Sequence, residues 1–119
     1  MRVLTLNVCG IRASEKKGLF AWLKKQKSDY ICLQEVRAQE DQIDDKKYSL
    51  NGYDRYMSVA EKKGYSGVGI ISKQEPNNVI YGTGISEMDF EGRNLRVDFD
   101  QLSIMSLYLP SGTNLDRLE

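Results

Sequence analysis

Residues 2–35, RVLTLNVCGIRASEKKGLFAWLKKQKSDYICLQE, decide the fold class. The run 2–8 carries Val3, Leu4, Leu6 and Val8 and is followed by Gly10, which predicts a strand buried on both faces followed by a turn. Ser14 is placed to cap a helix over 15–27, and Glu15 suits the positive end of its dipole. Leu19, Phe20 and Leu23 fall on one stripe of that helix, and Lys24, Lys25 and Lys27 sit near its negative end. Residues 29–35, DYICLQE, predict a second buried strand. Strand, helix and strand in this length form a βαβ unit, so the two strands are expected to be parallel with a right-handed crossover.

Downstream the pattern turns to β. Residues 39–47 are too polar for a core and read as a loop or a short surface helix. Strands are predicted over 53–59, 67–73, 79–81, 94–100 and 102–109, separated by glycine, proline and asparagine breaks. Within 94–100, Leu95, Val97 and Phe99 alternate with Arg96, Asp98 and Asp100. Leu115 to Glu119 reads as the start of a helix. The expectation is one α/β domain over 1–119, without internal repeats.

With 119 residues, 40% hydrophobic and 29% charged, the chain can bury a core. It has no apolar run long enough for a transmembrane helix and no signal-peptide layout at the N-terminus. Cys9 and Cys32 lie in apolar runs and read as reduced core residues of a cytoplasmic protein. Histidine is absent, which excludes imidazole chemistry within this chain. Net charge is zero, yet residues 1–73 hold 14 Lys/Arg against 9 Asp/Glu, and residues 74–119 hold 3 against 8. The basic part offers phosphate contacts of the kind that dominate nucleic-acid affinity. An unevenly charged solvated surface accounts for the same counts.

In a parallel βαβ unit, sites form at the carboxyl ends of the strands. Asn7 and Glu35 end the two strands, about 5 Å apart if adjacent. A carboxylate beside an amide suits magnesium, a hard cation that keeps most of its waters. The same pair equally serves as local hydrogen-bond partners of the backbone. The glycines at 64, 67, 69, 82 and 84 match neither a P-loop nor a dinucleotide fingerprint. Lys62-Lys63-Gly64-Tyr65 forms a basic turn able to straddle a nucleic-acid backbone, or a hairpin made soluble by its lysines. Tyr108 precedes Pro110 and can aim its hydroxyl at an anion or pack in the core. Trp22 reads as packing, and Cys9 as a quiet small residue.

Taken together, LNVCGIRA (6–13), ICLQEVRAQE (31–40), AEKKGYSGVGIISK (60–73), DFEGRNLRVDF (89–99) and SLYLPSG (106–112) resemble the ordered motifs of one family. It is the exodeoxyribonuclease III/apurinic endonuclease group of the DNase I-like exonuclease-endonuclease-phosphatase superfamily. The resemblance covers nearly the whole chain, and the GYSGV and EGR segments are its more specific part. It implies the amino-terminal half of a four-layer α+β sandwich, with the carboxyl-terminal half absent. It further implies a magnesium-dependent (or manganese-dependent) nuclease acting on double-stranded DNA at abasic sites or 3′ ends, with 3′-to-5′ exonuclease activity.

By resemblance, Glu35 is the principal magnesium ligand, and Asn7 assists in the metal and phosphate network. Tyr108 approaches the scissile phosphate. Arg12, Ala13, Lys62, Lys63, Gly64, Tyr65 and Arg93 match or lie in DNA-contacting segments. Cys9 departs from the family, where asparagine, aspartate or another residue is usual, and thiol sulfur is a poor magnesium ligand. The later GDxN, aspartate and SDH motifs of the family do not occur in this sequence, so the chain alone is expected to be inactive. Two rivals stand beside this reading: a phosphatase for inositol lipids or other small phosphoesters, and a non-catalytic DNA-binding or interaction module. No membrane partner is expected. Strands apolar on both faces, with one helix to cover part of one face, predict an uncovered sheet face and self-association through it.

Overall fold

The computed structural model of the chain describes residues 1–61, 64, 66–82 and 92–109. Its first sheet holds β1 (Val3–Asn7), β2 (Tyr30–Gln34), β3 (Asp54–Ser58) and β4 (Val68–Ser72), in the order β1-β2-β4-β3. As the βαβ reading requires, β1 and β2 are parallel, in register from Val3–Tyr30 to Asn7–Gln34. Strand β4 runs antiparallel to both β2 and β3. A second, antiparallel sheet holds β5 (Asn78–Tyr81), β6 (Asn94–Asp98) and β7 (Ser103–Leu107) in sequence order.

The helical crossover differs from the single helix expected over 15–27. It is two helices, α1 (Ile11–Lys16) and α2 (Leu19–Gln26), broken at Gly18, whose φ of 92° no continuous helix admits. Gly10, not Ser14, precedes the first turn of α1. Ser14 lies inside α1 and its hydroxyl donates to the Val8 carbonyl. Glu15 still serves a helix start, because its carboxylate accepts from the Phe20 amide at 2.9 Å and so caps α2. The polar stretch 39–47 contributes two short 3₁₀ turns, Glu40–Gln42 and Lys46–Tyr48, anchored between them by the fully buried Ile43.

Two apolar clusters make three layers. On one face of the first sheet, Ile31, Leu33 and Ile71 pack with Ile11, Leu19, Phe20 and Leu23 of the helices. On the other face, Tyr30, Cys32, Val68 and Ile70 pack with Leu95, Val97 and Ile104 of the second sheet. Full burial of each such aliphatic side chain contributes about 1.5–3 kcal/mol. The expectation of an uncovered inner sheet face is thereby corrected: β6 and β7 of the same chain cover β2 and β4.

A polar seam joins the two sheets inside this apolar contact. Ser106 Oγ donates to the Leu33 carbonyl at 2.9 Å. Gln34 Nε2 donates to Ser106 Oγ at 3.3 Å and to Thr5 Oγ1 at 3.0 Å. Strand β1 is not buried on both faces either. It is the edge of its sheet, and Val3, Thr5 and Asn7 are exposed while Leu4 and Leu6 lean on the helical cluster. The outward face of the second sheet leaves Ile80, Met105 and Leu107 exposed, as is Leu109 just beyond β7. Trp22 is also exposed, contrary to the packing role expected of it. Among the described residues, no helix is long and apolar enough to cross a membrane.

The loops are stitched as tightly as the strands. Gly67 donates its amide to the Gly92 carbonyl at 3.0 Å. Gly92 has a φ of 60°, and a Cβ there would lie 2.5 Å from both the Ala60 nitrogen and the Val59 carbonyl carbon. Neither neighbour is a movable side chain. Gly64 has a φ of 72° but open space around it. Gly92→Ala is therefore expected to destabilise by about 3 kcal/mol, from overpacking plus a left-handed alanine. Gly64→Ala carries only the backbone term of about 1 kcal/mol. Chemical denaturation of the two variants checks this, and equal midpoints would refute the steric argument.

Candidate active site

The parallel pairing of β1 and β2 continues beyond both strands. Val8 donates to the Gln34 carbonyl, Gly10 to Glu35 at 2.8 Å and Ile11 to Val36 at 2.9 Å. The two loops thus leave the sheet edge side by side. Both turn through left-handed residues: Cys9 at φ 48°, Glu35 at 51° and Arg37 at 53°. Across the sheet, Val36 donates to Gly67 at 2.9 Å and Arg37 to Ser66 at 2.7 Å. Tyr108, just after β7, donates its amide at 2.8 Å to the carbonyl of Arg93, just before β6.

Glu35 is the hub of this edge. Its side chain is 14% exposed. Oε1 accepts the Tyr108 hydroxyl at 2.8 Å. Oε2 accepts the Cys9 thiol at 3.2 Å and Arg37 Nη2 at 3.4 Å. The neighbouring Asn7 side chain also favours the ionised carboxylate, and Asn7 Oδ1 accepts the Cys9 amide at 3.0 Å. These donors, led by Tyr108, hold the Glu35 carboxyl below the usual glutamate range against the opposing effect of desolvation. The same carboxylate pushes the Cys9 thiol up, first through the hydrogen bond and then through its charge. Cys9 is exposed rather than a core residue, and it is a neutral thiol rather than a reactive thiolate. Cys32 is the cysteine that behaves as expected, buried between the sheets with its pKa raised to about 11.

Beside this hub runs an open groove of about 480 Å³, lined by Arg12, Lys16 and Arg37 together with Cys9, Gly10, Ala13, Tyr48 and Gly64. Arg12 Nη2 donates to the Arg37 carbonyl at 3.3 Å, tying α1 to the loop after β2. The structure thus brings Asn7, Glu35 and Tyr108 together and sets Arg12, Ala13 and Gly64 along one groove. Arg93 lies next to Tyr108 at the backbone and is partly buried. Lys62, Lys63 and Tyr65 lie outside the described residues, as does the expected helix start at 115–119.

Sequence reasoning missed Lys16, Arg37 and Tyr48. For Arg37 a signal existed, a cation two residues beyond the strand-ending carboxylate; for Tyr48 there was none. Another hollow, near Met1, Asp29 and Lys73, sits at the opposite end of β1 and β2, away from this chemistry.

One carboxylate and one amide oxygen fit a hard divalent cation that keeps most of its waters, and the protonated thiol beside them is a poor ligand for such an ion. They do not make a closed cage: the described residues contain no group of three or more His, Cys, Asp or Glu placed to hold a metal.

Residues 4–117 match the model of the Endonuclease/Exonuclease/phosphatase family. The chain belongs to that family. It is 41% identical to the exodeoxyribonuclease of Bacillus subtilis (strain 168), covering 100% of this chain and 47% of that one. It is 34% identical to the DNA-(apurinic or apyrimidinic site) endonuclease of Dictyostelium discoideum, over 100% of this chain and 33% of that one. The solved structure of an AP endonuclease from Archaeoglobus fulgidus superposes with a TM-score of 0.81 at 28% identity, over 98% of this chain and 44% of the other. The chain therefore spans between a third and about half of these family members, and its two sheets are the amino-terminal part of the DNase I-like fold.

Because the Tyr108 hydroxyl is the leading cause of the low Glu35 pKa, Tyr108→Phe is expected to move it upward. A depressed carboxyl pKa contributes stability above its unfolded-state value, and that stability is lost as pH falls through the folded value. The variant should therefore lose less stability than the parent on acidification through that window. Carboxyl-carbon NMR titration of Glu35 checks the shift, and an unmoved pKa would remove Tyr108 as its cause.

Proposed function

We propose that this chain carries the cation-holding and DNA-holding part of a nuclease that hydrolyses DNA phosphodiesters at abasic sites, with 3′-to-5′ exonuclease trimming. The observation that carries the reading is the convergence of Glu35, Tyr108 and neighbouring Asn7 beside a groove lined by Arg12, Lys16 and Arg37. The names of the family members, an exodeoxyribonuclease and abasic-site endonucleases, support DNA as the substrate.

In this reading Glu35 and the Asn7 amide hold Mg²⁺, with Mn²⁺ able to replace it. When bound, the ion spreads the negative charge that gathers on the phosphate oxygens during attack. Glu35 is ready for that task because its neighbours keep it ionised well below neutral pH. The Tyr108 hydroxyl spends its one proton on Glu35 and so orients the carboxylate beside the phosphate. Arg12, Ala13, Gly64 and Arg93 hold the DNA backbone, with Lys62, Lys63 and Tyr65 of the basic turn.

Activation of water is not assigned to this chain. Glu35 is committed to its donors, Cys9 is a neutral thiol, and the sequence contains no histidine. A positioned general base is worth about 10²–10⁴ in rate. The chain alone should therefore nick abasic duplex at least about a hundredfold more slowly than a full-length family member. A magnesium-dependent nicking assay tests this. An active chain whose activity disappears in Glu35→Gln would keep the site and overturn the inactivity.

DNA affinity should be electrostatic. Each phosphate neutralised on duplex DNA contributes about −0.9 to the log–log salt slope. Arg12→Ala is thus expected to make the slope shallower by about 0.9 in a fluorescence-anisotropy titration of abasic duplex. Measurable binding with a flat salt response would contradict the reading. Self-association through the outward face of β5–β7, where Ile80, Met105 and Leu107 are exposed, completes the proposal. Light scattering that finds only monomer up to high concentration would remove that part.

A further inference from the structure

Among the described residues, the Glu35–Arg37 contact is unlike the other ion pair between residues two apart. Arg96 grips Asp98 with two prongs, Nε at 2.9 Å and Nη2 at 3.2 Å. Arg37 touches Glu35 with one nitrogen at 3.4 Å, and its side chain is 47% exposed. The backbone beneath it, by contrast, has no freedom. Val36 is fully buried, and the amides of Val36 and Arg37 are pinned to Gly67 and Ser66. The Arg37 carbonyl is held by Arg12. A fixed base therefore carries a loosely held guanidinium at the boundary between the carboxylate and the basic groove.

Glu35 Oε2, the oxygen Arg37 touches, also accepts from Cys9, and Cys9 and Arg37 both line the groove. Both donors to this oxygen therefore belong to the groove lining. A guanidinium and a divalent cation repel each other, so they compete for one carboxylate oxygen. With its backbone fixed, an Arg37 side chain that leaves Glu35 remains in the groove with Arg12 and Lys16, where a phosphate supplies the bidentate acceptor its fork lacks on Glu35.

We propose that Arg37 is an exchange residue: it occupies Glu35 until a divalent cation takes the carboxylate, and then it pairs with the DNA backbone, so that cation loading and DNA binding strengthen each other. The inference rests on the reading of Glu35 as the carboxylate that holds the cation. The coupling is reciprocal, because the factor by which the cation raises DNA affinity equals the factor by which DNA raises cation affinity. A partly exposed ion pair worth up to about 1 kcal/mol bounds its share at about fivefold.

The test uses the whole chain and Mn²⁺, with binding read from the electron-paramagnetic-resonance signal of the free ion. Arg37→Gln removes the competitor and is expected to bind Mn²⁺ about two- to fivefold tighter, whereas Arg37→Lys stays near the parent. In anisotropy titrations of an abasic duplex, Mn²⁺ should raise the affinity of the parent more than that of Arg37→Gln. If Arg37→Gln fails to fold, Arg37→Met keeps the aliphatic stem and carries the same expectations. Glu35→Gln separates the two layers of the argument. If it binds Mn²⁺ as the parent does, the reading of Glu35 fails. If Glu35→Gln loses Mn²⁺ while the Arg37 variants bind it unchanged or more weakly, the exchange is overturned and the reading of Glu35 stands.

Discussion

The parallel pairing of β1 with β2 is the constraint on which the rest depends. Parallel strands present their ends at the same edge, so whatever follows them shares one place in space. Here the pairing does not stop at the sheet. Hydrogen bonds from Gly10 to Glu35 and from Ile11 to Val36 carry it into the loops, and bonds from Val36 and Arg37 to Gly67 and Ser66 carry it across to the β4 side. Cys9, Glu35 and Arg37 adopt left-handed backbone because this ladder leaves them no other path. The side chains with chemical potential are thus fixed at their roots by the main chain and differ only in how firmly their tips are held.

Electrostatics at the edge follows from that geometry. A carboxylate surrounded by a phenol, an amide, a thiol and a guanidinium stays ionised without deep burial, because hydrogen-bond donors outweigh desolvation. The same charge keeps its thiol neighbour protonated. The site therefore presents one negative centre on the border of a positive groove, an arrangement suited to a small cation on one side and a polyanion on the other.

Much of this was legible in the sequence because the signals were local. A doubly apolar run, a crossover of the right length and a second apolar run sufficed for the parallel pair, and with it for the meeting of Asn7 and Glu35. Alternation sufficed to place Leu95 and Val97 inward and Arg96 and Asp98 outward. What was not legible depended on neighbours far along the chain. The exposure of Val3 and Thr5 follows from β1 being an edge strand, which its own residues do not encode. The covering of Cys32 and Ile70 depends on a second sheet contributed by residues beyond position 78. Cys9 looked like core because it follows an apolar run, yet one left-handed turn moves it to the surface. The break at Gly18 was visible in the letters but was outweighed by the continuous apolar stripe on either side of it.

The seam of Thr5, Gln34 and Ser106 has a mechanical meaning. Two greasy surfaces in contact can slide by a few tenths of an ångström at little energetic expense, since dispersion is nearly indifferent to direction. Hydrogen bonds are not indifferent: they weaken steeply with misalignment. Ser106 acts as a dowel driven from one sheet into the main chain of the other, two residues before Tyr108 leaves β7. The reach of that tyrosine to Glu35 is thereby set by a peg in the interior and not by the loop around it. In a sandwich whose chemistry straddles two sheets, alignment of the layers is itself part of the site.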